Sequence, residues 1–283
     1  MNYTIKSGAL SVTASSLGAE LISVKVGDKE MLWQNQNGEW AGHAPVLFPV
    51  CGACGVRVNG VSYPIAKHGF ALFSEFFCEF ASENELVFKL TDNEETRKLF
   101  PFAFILRVFY SVKDNVLSVK YDIENPSSDK PLYAATGAHE SYMLDRPLSE
   151  YKLLFSEDEH FLNFSYEKVR TPDFGYGKEL PCPDAFLQNS ESLILDNINS
   201  RSVTLVKNSG EPVVKIDFEG YSNLLLWRPT GAPQMVCIEP WGNLFDPDNI
   251  TPEEDKEFSE KENIVKIDPH KNFTYTHTIT YYQ

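Results

Sequence analysis

Apolar and polar residues alternate with a period of two through most of the chain. Successive side chains of a strand point to opposite faces, so this pattern is typical of strands with one buried face. Asn, Asp, Gly and Pro bound the alternating segments, and Lys113–Asn115 between two of them predicts a hairpin turn. The segments predicted as strands are Leu10–Ala14, Leu21–Val26, Phe104–Val112, Leu117–Ile123, Val213–Phe218, Asn223–Trp227 and Phe273–Tyr281.

Helical segments are few and short, and Asn93–Lys98 and Thr251–Asp255 are the two predicted ones. The sequence has no Gly/Ser linker, no low-complexity tract and no fixed repeat. It therefore predicts an all-β fold in which residues 1–283 form one large antiparallel domain. Periodicity alone leaves a sandwich and a barrel both open.

Composition and charge exclude some classes of binding partner. Apolar residues make up 42 % and charged residues 23 %, which suffices for a packed core. The net charge of −15 repels phosphate backbones and anionic lipid surfaces, so neither nucleic acid nor a membrane is a predicted partner. Aromatic residues reach 13 %, and they favour strands and also form platforms for sugar faces.

The cysteines indicate a reducing compartment. Five are present, an odd number in a chain of this length, and Cys51–Cys54 is a lone CxxC without a second pair. Zinc binding there is not predicted, a redox pair remains an alternative, and free thiols fit a cytoplasmic protein best. The N-terminal residues contain no signal-peptide pattern, and no apolar run is long enough to cross a membrane.

Glu239 has the most unusual setting among the acidic residues. It ends the apolar run Met235–Ile238 and is followed at once by proline and Trp241. A carboxylate buried at a strand end loses solvation, which raises its pKa and makes it a candidate proton acceptor near neutral pH. The alternative is a glutamate paired with a cation at the sheet edge. Trp241 is either a core residue or a platform for a sugar.

Two of the six histidines, His68 and His139, also lie in unusual settings. His68 precedes Gly69, which permits a tight turn or a close approach to a ligand, and His139 ends a strand of small residues. A hydrogen-bonded structural histidine is the alternative for each. For the other four histidines the local sequence predicts a structural or a solvent-exposed position: His43, His160, His270 and His277. Sequence motifs of metal sites, nucleotide loops and serine nucleophiles are absent.

Four segments in order resemble the aldose 1-epimerase (galactose mutarotase-like) family, most closely its LacX-like bacterial branch. They are Ala44–Pro49, Lys67–Ala71, Gly137–His139 with Tyr142 following, and Cys237–Trp241. The resemblance implies a large antiparallel β-sandwich of the galactose mutarotase type, a supersandwich. It also implies an isomerase of carbohydrate metabolism that interconverts the α and β anomers of an aldose, with no cofactor and no metal.

Catalytic roles follow from the resemblance. It implies that Glu239 is the general base on the anomeric hydroxyl and that His139 protonates the ring oxygen. His68 would bind and polarise the sugar near that oxygen, while Trp241 and Tyr142 would contact it. An acid and a base of this kind suffice for ring opening and reclosure.

Two departures from the branch bear on activity. The branch usually has proline after the histidine of the third segment, where this chain has Glu140; a carboxylate facing the site would raise the pKa of His139. The branch also has an arginine shortly after Leu-Phe-Pro. Here Cys51–Cys54 intervenes, and Arg57 is the nearest arginine and the predicted sugar contact.

Three alternatives to a mutarotase of free aldoses remain open. A sugar-binding protein on the same fold would bind sugar without catalysing anomer exchange. A glycoside hydrolase or lyase would need a second carboxylate near Glu239. A hexose-phosphate mutarotase would need two or three basic side chains near Trp241. The oligomeric state is not predicted.

Overall fold

Nearly all regular structure in the computed structural model is β-strand, as the alternating pattern predicts. The structure describes residues 1–161, 173–183, 186–187, 192–244 and 256–282. In chain order, the strands are β1 Asn2–Ser7, β2 Leu10–Ser15, β3 Leu21–Val26, β4 Lys29–Glu30, β5 Val56–Val58, β6 Val61–Tyr63, β7 Phe77–Ala81, β8 Glu85–Thr91, β9 Ile105–Lys113, β10 Val116–Glu124, β11 Leu132–Ala134, β12 Ser141–Met143, β13 Tyr151–His160, β14 Tyr176–Pro181, β15 Ser192–Leu195, β16 Ser202–Lys207, β17 Pro212–Asp217, β18 Asn223–Trp227, β19 Met235–Trp241, β20 Val265–Ile267 and β21 Asn272–Tyr281.

A single α-helix, α1 at Glu94–Leu99, occurs in the described ranges, with short 3-10 turns at Ala71–Phe73, Leu148–Glu150 and Phe258–Glu260. It confirms the first predicted helix. Asn93 caps it, because its side chain accepts the N–H groups of Glu95 and Thr96. The second predicted helix, 251–255, lies outside the described residues. No helix in the described part of the chain is long and apolar enough to span a membrane.

A nine-stranded antiparallel sheet forms one layer, in the order β14-β13-β16-β17-β21-β10-β9-β8-β7. The predicted β9–β10 hairpin lies near its centre, and Asp114 makes the turn with a positive φ of 55°. Buried and part-exposed residues alternate along both strands of the hairpin, so one face of the sheet is apolar. That face forms much of the main core.

A four-stranded sheet in the order β12-β19-β18-β15 carries the segment around Glu239. All seven residues of its strand β19 are buried, so both faces are covered. Val236 and Ile238 belong to the main core, whereas Cys237 and Trp241 belong to separate apolar clusters on the alternate positions. Glu239 lies between Cys237 and Trp241 in the alternation and therefore faces the same side of the sheet as they do. The four-stranded sheet therefore packs on the core with one face and carries the candidate site on the other, in a β-sandwich.

Candidate active site

Strand pairing places His139 across from Glu239. β12 pairs antiparallel with β19, and beyond the end of β12 a bridge between Gly137 and Trp241 continues the same register. A hydrogen bond from Ala138 N to the β19 backbone, 3.0 Å long, supports that continuity. Residues a hundred positions apart in sequence thus become direct neighbours on one face.

The two side chains meet at the end of β19. His139 Nε2 lies 3.4 Å from Glu239 Oε2, and Trp241 Nε1 donates a hydrogen bond of 3.2 Å to the same oxygen. The other oxygen, Oε1, has no hydrogen-bond partner among the described residues. Glu239 has no exposed surface, and this burial raises the pKa of its carboxyl well above the ordinary value. The charge of Lys67 and the Trp241 hydrogen bond act in the opposite direction.

His139 responds to the same burial in the opposite sense. Desolvation lowers the pKa of its imidazole to about 3. Trp40 lies flat on the imidazole, with ring centroids 5.1 Å apart and planes inclined by 22°. Burial therefore favours the neutral form of both His139 and Glu239. Because the two groups are in contact, they titrate as a pair.

His68 is held as a neutral hydrogen-bond donor beside this pair. The N–H of Gly52 donates to His68 Nδ1 over 3.1 Å, so the neutral ring carries its proton on Nε2. Burial, with smaller contributions from His139 and Lys67, lowers the pKa of His68 to about 2. Its ring centroid lies 5.4 Å from that of His139.

A turn that requires glycine positions His68. His68 and Gly69 both have positive φ, 68° and 77°. A Cβ atom at Gly69 would lie 1.9 Å from the carbonyl oxygen of Phe48, so no other residue fits there. Phe70 follows in the core. Of the two roles that the sequence leaves open for Gly69, a tight turn or a close approach to a ligand, the structure shows the turn.

A cavity of about 440 Å³ opens in front of the histidines. Three of the four tryptophans of the chain line it: Trp40, Trp227 and Trp241. Sequence reasoning singled out only Trp241. Trp40 lies in a polar, glycine-containing loop and Trp227 ends an apolar strand, and these two settings are the signals that could have found them.

Trp40 is fixed by its own loop. Its carbonyl oxygen accepts the indole N–H of Trp33 over 3.0 Å, and its N–H donates to Asn35 Oδ1 over 3.1 Å. Gly42 leaves room for the ring, because a Cβ atom there would lie 2.4 Å from it. These bonds hold the backbone of Trp40, and its indole lies over His139.

The structure does not bring Arg57 and Tyr142, both predicted sugar contacts, to this cavity. Arg57 lines a separate cavity of about 1190 Å³, and its Nε lies 3.5 Å from Glu257 Oε1. Tyr142 belongs to the main core, because strand alternation turns it to the face opposite His139. Neither residue lines the cavity beside His139 and Glu239.

Glu140 also faces away from the site. Its Oε1 lies 2.9 Å from Nε2 of His277 on β21, and both side chains are buried. A carboxylate on the cavity side would have raised the pKa of His139, whereas the pKa of His139 is lowered. His277, interpreted from sequence as structural, is a core residue with Glu140 as its partner.

The sulfur of Cys237 lies near the pair. The ligand-type atoms of Cys237, His139 and Glu239 are within 4.8 Å of one another, and such a set can bind Zn²⁺. Burial raises the pKa of the Cys237 thiol well above its ordinary value, which keeps it protonated. The thiol therefore lies beside the His139–Glu239 pair as a neutral group.

Comparison with known proteins identifies the family of the chain. The family model described as Aldose 1-epimerase matches residues 1–264. Protein LacX (plasmid) of Lactococcus lactis subsp. lactis is 30 % identical, and the alignment covers 95 % of each chain.

Solved structures share the fold over the whole chain. A galactose mutarotase related enzyme from Lactobacillus acidophilus superposes with a TM-score of 0.85 at 25 % identity, covering 100 % of this chain and 98 % of that one. A galactose mutarotase-like protein from Lactobacillus casei gives a TM-score of 0.87 at 24 % identity, with 100 % of both chains covered. The fold is thus of the galactose mutarotase type, and the chain belongs to the aldose 1-epimerase family.

Proposed function

We propose that the protein interconverts the α and β anomers of a free aldose. The observation that carries this proposal is the contact of 3.4 Å between His139 Nε2 and Glu239 Oε2 beside a cavity lined by three tryptophans. The anomeric oxygen and the ring oxygen of an aldose are bonded to the same carbon. An acid and a base that serve both oxygens must therefore be close neighbours, as these two are.

Ring opening moves two protons and breaks one bond. Glu239, as carboxylate, takes the proton of the anomeric hydroxyl, while His139, protonated on Nε2, gives its proton to the ring oxygen. The bond between the anomeric carbon and the ring oxygen breaks, and a carbonyl forms. Rotation about the adjacent carbon–carbon bond exposes the other carbonyl face, and both transfers reverse on closure.

Burial favours the products of this proton exchange over the charge-separated pair that starts it. The pair carries one proton throughout, on His139 before ring opening and on Glu239 after it. Opening converts a charge-separated pair into a neutral one, and the low dielectric of the site favours the neutral arrangement. The raised pKa of Glu239 and the lowered pKa of His139 both act in this direction. The charge of Lys67 lowers the pKa of both groups, so it favours the carboxylate of the starting pair and disfavours its imidazolium.

His68 acts as a fixed donor near the ring oxygen. Its Nδ1 is occupied by the Gly52 N–H, which leaves Nε2–H to donate to the sugar. A neutral imidazole polarises the leaving ring oxygen without competing with His139 as the proton donor.

Trp40 must move for the sugar to reach Glu239. Glu239 has no exposed surface, and the indole of Trp40 covers His139. A sugar that stacks on Trp40 or Trp241 and brings its two reacting oxygens against His139 and Glu239 requires the Trp40 ring to shift outward. The loop that carries Trp40 is thus part of substrate binding.

The cavity favours a neutral sugar over a sugar phosphate. Its charged lining residues are one cation, Lys67, and one anion, Glu20, in the described part of the chain. A phosphate group usually needs several donors of positive charge, and the carboxylate of Glu20 repels it. This composition argues against the hexose-phosphate variant.

The positions of the acidic groups argue against a glycoside hydrolase. The Glu140 side chain pairs with His277 in the core, and Glu20 Oε1 accepts the backbone N–H groups of His43 and Ala44. Glycoside cleavage needs two carboxyl groups that both face the glycosidic bond. The partner that faces Glu239 here is an imidazole, which suits anomer exchange.

Saturation-transfer NMR of anomer exchange tests the proposal. Wild type and Glu239→Gln are compared on galactose, glucose, xylose and a hexose 6-phosphate, with Arg57→Ala as the matched control outside the cavity. Wild type and the control should exchange at least one neutral aldose faster than buffer, and Glu239→Gln should not. Sugar binding to wild type with no faster exchange of any sugar would instead identify a sugar-binding protein.

A further inference from the structure

His277 joins two groups from different parts of the chain inside the core. Its Nε2 lies 2.9 Å from Glu140 Oε1, and its Nδ1 lies 3.2 Å from the hydroxyl of Tyr221. All three residues are buried, with 2 % or less of their surface exposed. Both ring nitrogens of one imidazole are thus used.

The three residues belong to the elements that build the site. Glu140 directly follows His139, and its carbonyl oxygen accepts the N–H of Ile238, next to Glu239, over 3.3 Å. Tyr221 lies two residues before β18, the strand that ends at Trp227 of the cavity. His277 lies on β21 of the nine-stranded sheet. The imidazole therefore ties two segments of the site to the large sheet.

Stability alone does not account for such a network. Burying a carboxyl and an imidazole costs desolvation energy, and well-packed apolar residues of similar size are often as stable or more stable. What a hydrogen-bonded pair adds is direction. A hydrogen bond requires a specific distance and angle, so it adds to apolar packing a contact that selects one lateral position of the two sheets.

Lateral position matters for the proposed chemistry. The contact between His139 and Glu239 depends on how the segment 137–140 lies along β19. A shift of about 1 Å in such a segment can lower a catalytic rate by about a hundredfold. Glu140 directly follows His139, and its side chain restrains the segment from the core side of the sheet.

We propose that His277 is a positioning residue for the proton-transfer pair. Through Glu140 it holds His139 against Glu239, and through Tyr221 it holds the start of β18 and so Trp227. This assignment rests on the proposed anomer exchange, but the positioning itself can be measured without any activity.

The decisive variants are His277→Leu and the double variant Glu140→Leu/His277→Leu. The single variant leaves the Glu140 carboxyl buried without a partner and should lower the unfolding temperature. The double variant removes both polar groups and should recover most of that stability. In the double variant we expect kcat for anomer exchange to fall about tenfold or more and KM to change less than about twofold.

A second readout follows the geometry directly. The indole N–H of Trp241, which donates to Glu239, and the amide of Ala138, which donates to Pro240 O, report on the site in hydrogen exchange. Both should exchange about tenfold faster in the double variant. Amides of β8, such as that of Leu86, should keep their wild-type rates, because β10 and β9 separate this strand from β21.

Each outcome bears on the proposal. Wild-type kcat, or wild-type exchange at Trp241 and Ala138, in a double variant of restored stability would overturn it. If wild type itself shows no anomer exchange, the proposed function fails and the hydrogen-exchange comparison alone decides the positioning role.

Tyr221→Phe tests the second contact if the leucine variants do not fold. It removes one hydroxyl from the network. We expect weaker sugar binding, by about threefold to tenfold in KM, because β18 carries Trp227, and a nearly unchanged kcat. Wild-type KM together with wild-type exchange at the β18 amides would overturn the role of His277 at that end.

Discussion

Two buried carboxyl–imidazole pairs lie back to back on the two faces of the four-stranded sheet. In the first, which we call the front pair, His139 and Glu239 stand 3.4 Å apart at the tryptophan-lined cavity. In the second, the back pair, Glu140 and His277 stand 2.9 Å apart in the core, and Tyr221 holds the second nitrogen of the imidazole. His139 and Glu140 are adjacent in sequence and diverge because strand residues alternate between faces.

The difference between the pairs shows how one chemical combination serves two purposes. The back pair has the length of a normal hydrogen bond and a third group in line, which suits a fixed contact. The front pair is longer than a strong hydrogen bond, and among the described residues His139 Nδ1 has no partner, whereas both ring nitrogens of His277 have one. One carboxyl oxygen of each pair, Glu239 Oε1 or Glu140 Oε2, is without a hydrogen-bond partner in the described part of the chain. A loosely bonded pair remains available to a substrate.

The largest expected effect comes from the base of the front pair. Glu239→Gln keeps the shape and the hydrogen bond from Trp241 but cannot accept a proton. We expect kcat for anomer exchange to fall about 10²–10⁴-fold. Saturation-transfer NMR measures the rate, and ligand-detected NMR should show that sugar binding persists. A variant that retains more than about a tenth of the wild-type rate would remove Glu239 from the role of base.

The acid of the front pair should matter nearly as much. His139→Gln should lower kcat about 10²-fold or more, because Gln cannot protonate the ring oxygen. The variant that carries both His139→Gln and Glu239→Gln should be little slower than the slower single variant, since the two groups act as a unit. Rate losses that multiply would show that the two groups act independently.

The buried histidines of the cavity, His139 and His68, should make the stability of the folded protein fall at acidic pH, whereas exposed histidines should not. Burial lowers the pKa of His139 to about 3 and of His68 to about 2, below the ordinary value near 6.5. The unfolded chain binds more protons across this range, so the free energy of unfolding falls as the pH drops from about 6.5 towards these values. Urea unfolding of wild type and His139→Gln from about pH 4 to about pH 7 measures this, and the variant should lose less stability on acidification.

Glu239 contributes to stability with the opposite sign. Its pKa is raised in the folded protein, so its contribution is present below the ordinary value and is lost as the pH rises through the raised one.

Exposed His160, paired with Asp173 at the surface, provides the control. His160→Gln should follow the wild-type acid profile. Equal acid sensitivity in wild type and His139→Gln would contradict the burial of a neutral imidazole.

Removing the covering tryptophan should have a smaller effect. Trp40→Ala loses one stacking surface, worth about 1 kcal/mol, and should raise KM about fivefold. Trp40→Phe should retain most of the affinity. Because the ring must move before catalysis, kcat should change little in either variant. A large fall in kcat would assign Trp40 to the chemical step.

The smallest effect is expected at Arg57. It lies in the separate cavity, beside Glu257, and a distant surface substitution usually leaves a site unchanged. Arg57→Ala should keep kcat and KM within about twofold of wild type in the same NMR assay. A larger loss would show that this residue reaches the sugar.

Much of the fold could be predicted from the sequence because alternation is a local signal. The β9–β10 hairpin, the long final strand β21 and helix α1 all lie where the pattern indicates them. Glu239 was also found locally, since a carboxylate that ends an apolar strand is unusual in itself. What it contacts was not local information.

The rest of the site depends on contacts between distant segments. Trp40 and Trp227 come from distant parts of the chain and contact each other edge to face, with ring centroids 5.4 Å apart, where they line the cavity. Arg57 follows the expected motif in sequence but lies elsewhere in space. The orientation of Glu140 could have been predicted from the sequence, because adjacent residues of a strand face opposite sides and Glu140 follows His139 directly. His277 could be recognised as its partner only from the packing of two sheets.

The register of the segment 137–143 against β19 decides which side chain faces Glu239. A shift of one residue would replace the imidazole with a carboxyl group. Because alternate residues face opposite sides, a single-residue deletion before His139 that shifted this segment along β19 would turn His139 into the core. Glu140 would then face the cavity, opposite the carboxyl of Glu239. Two facing carboxyl groups are the arrangement that glycoside-cleaving enzymes use. An enzyme engineer could therefore look for a new reaction in the spacing of this strand rather than in the identity of its residues.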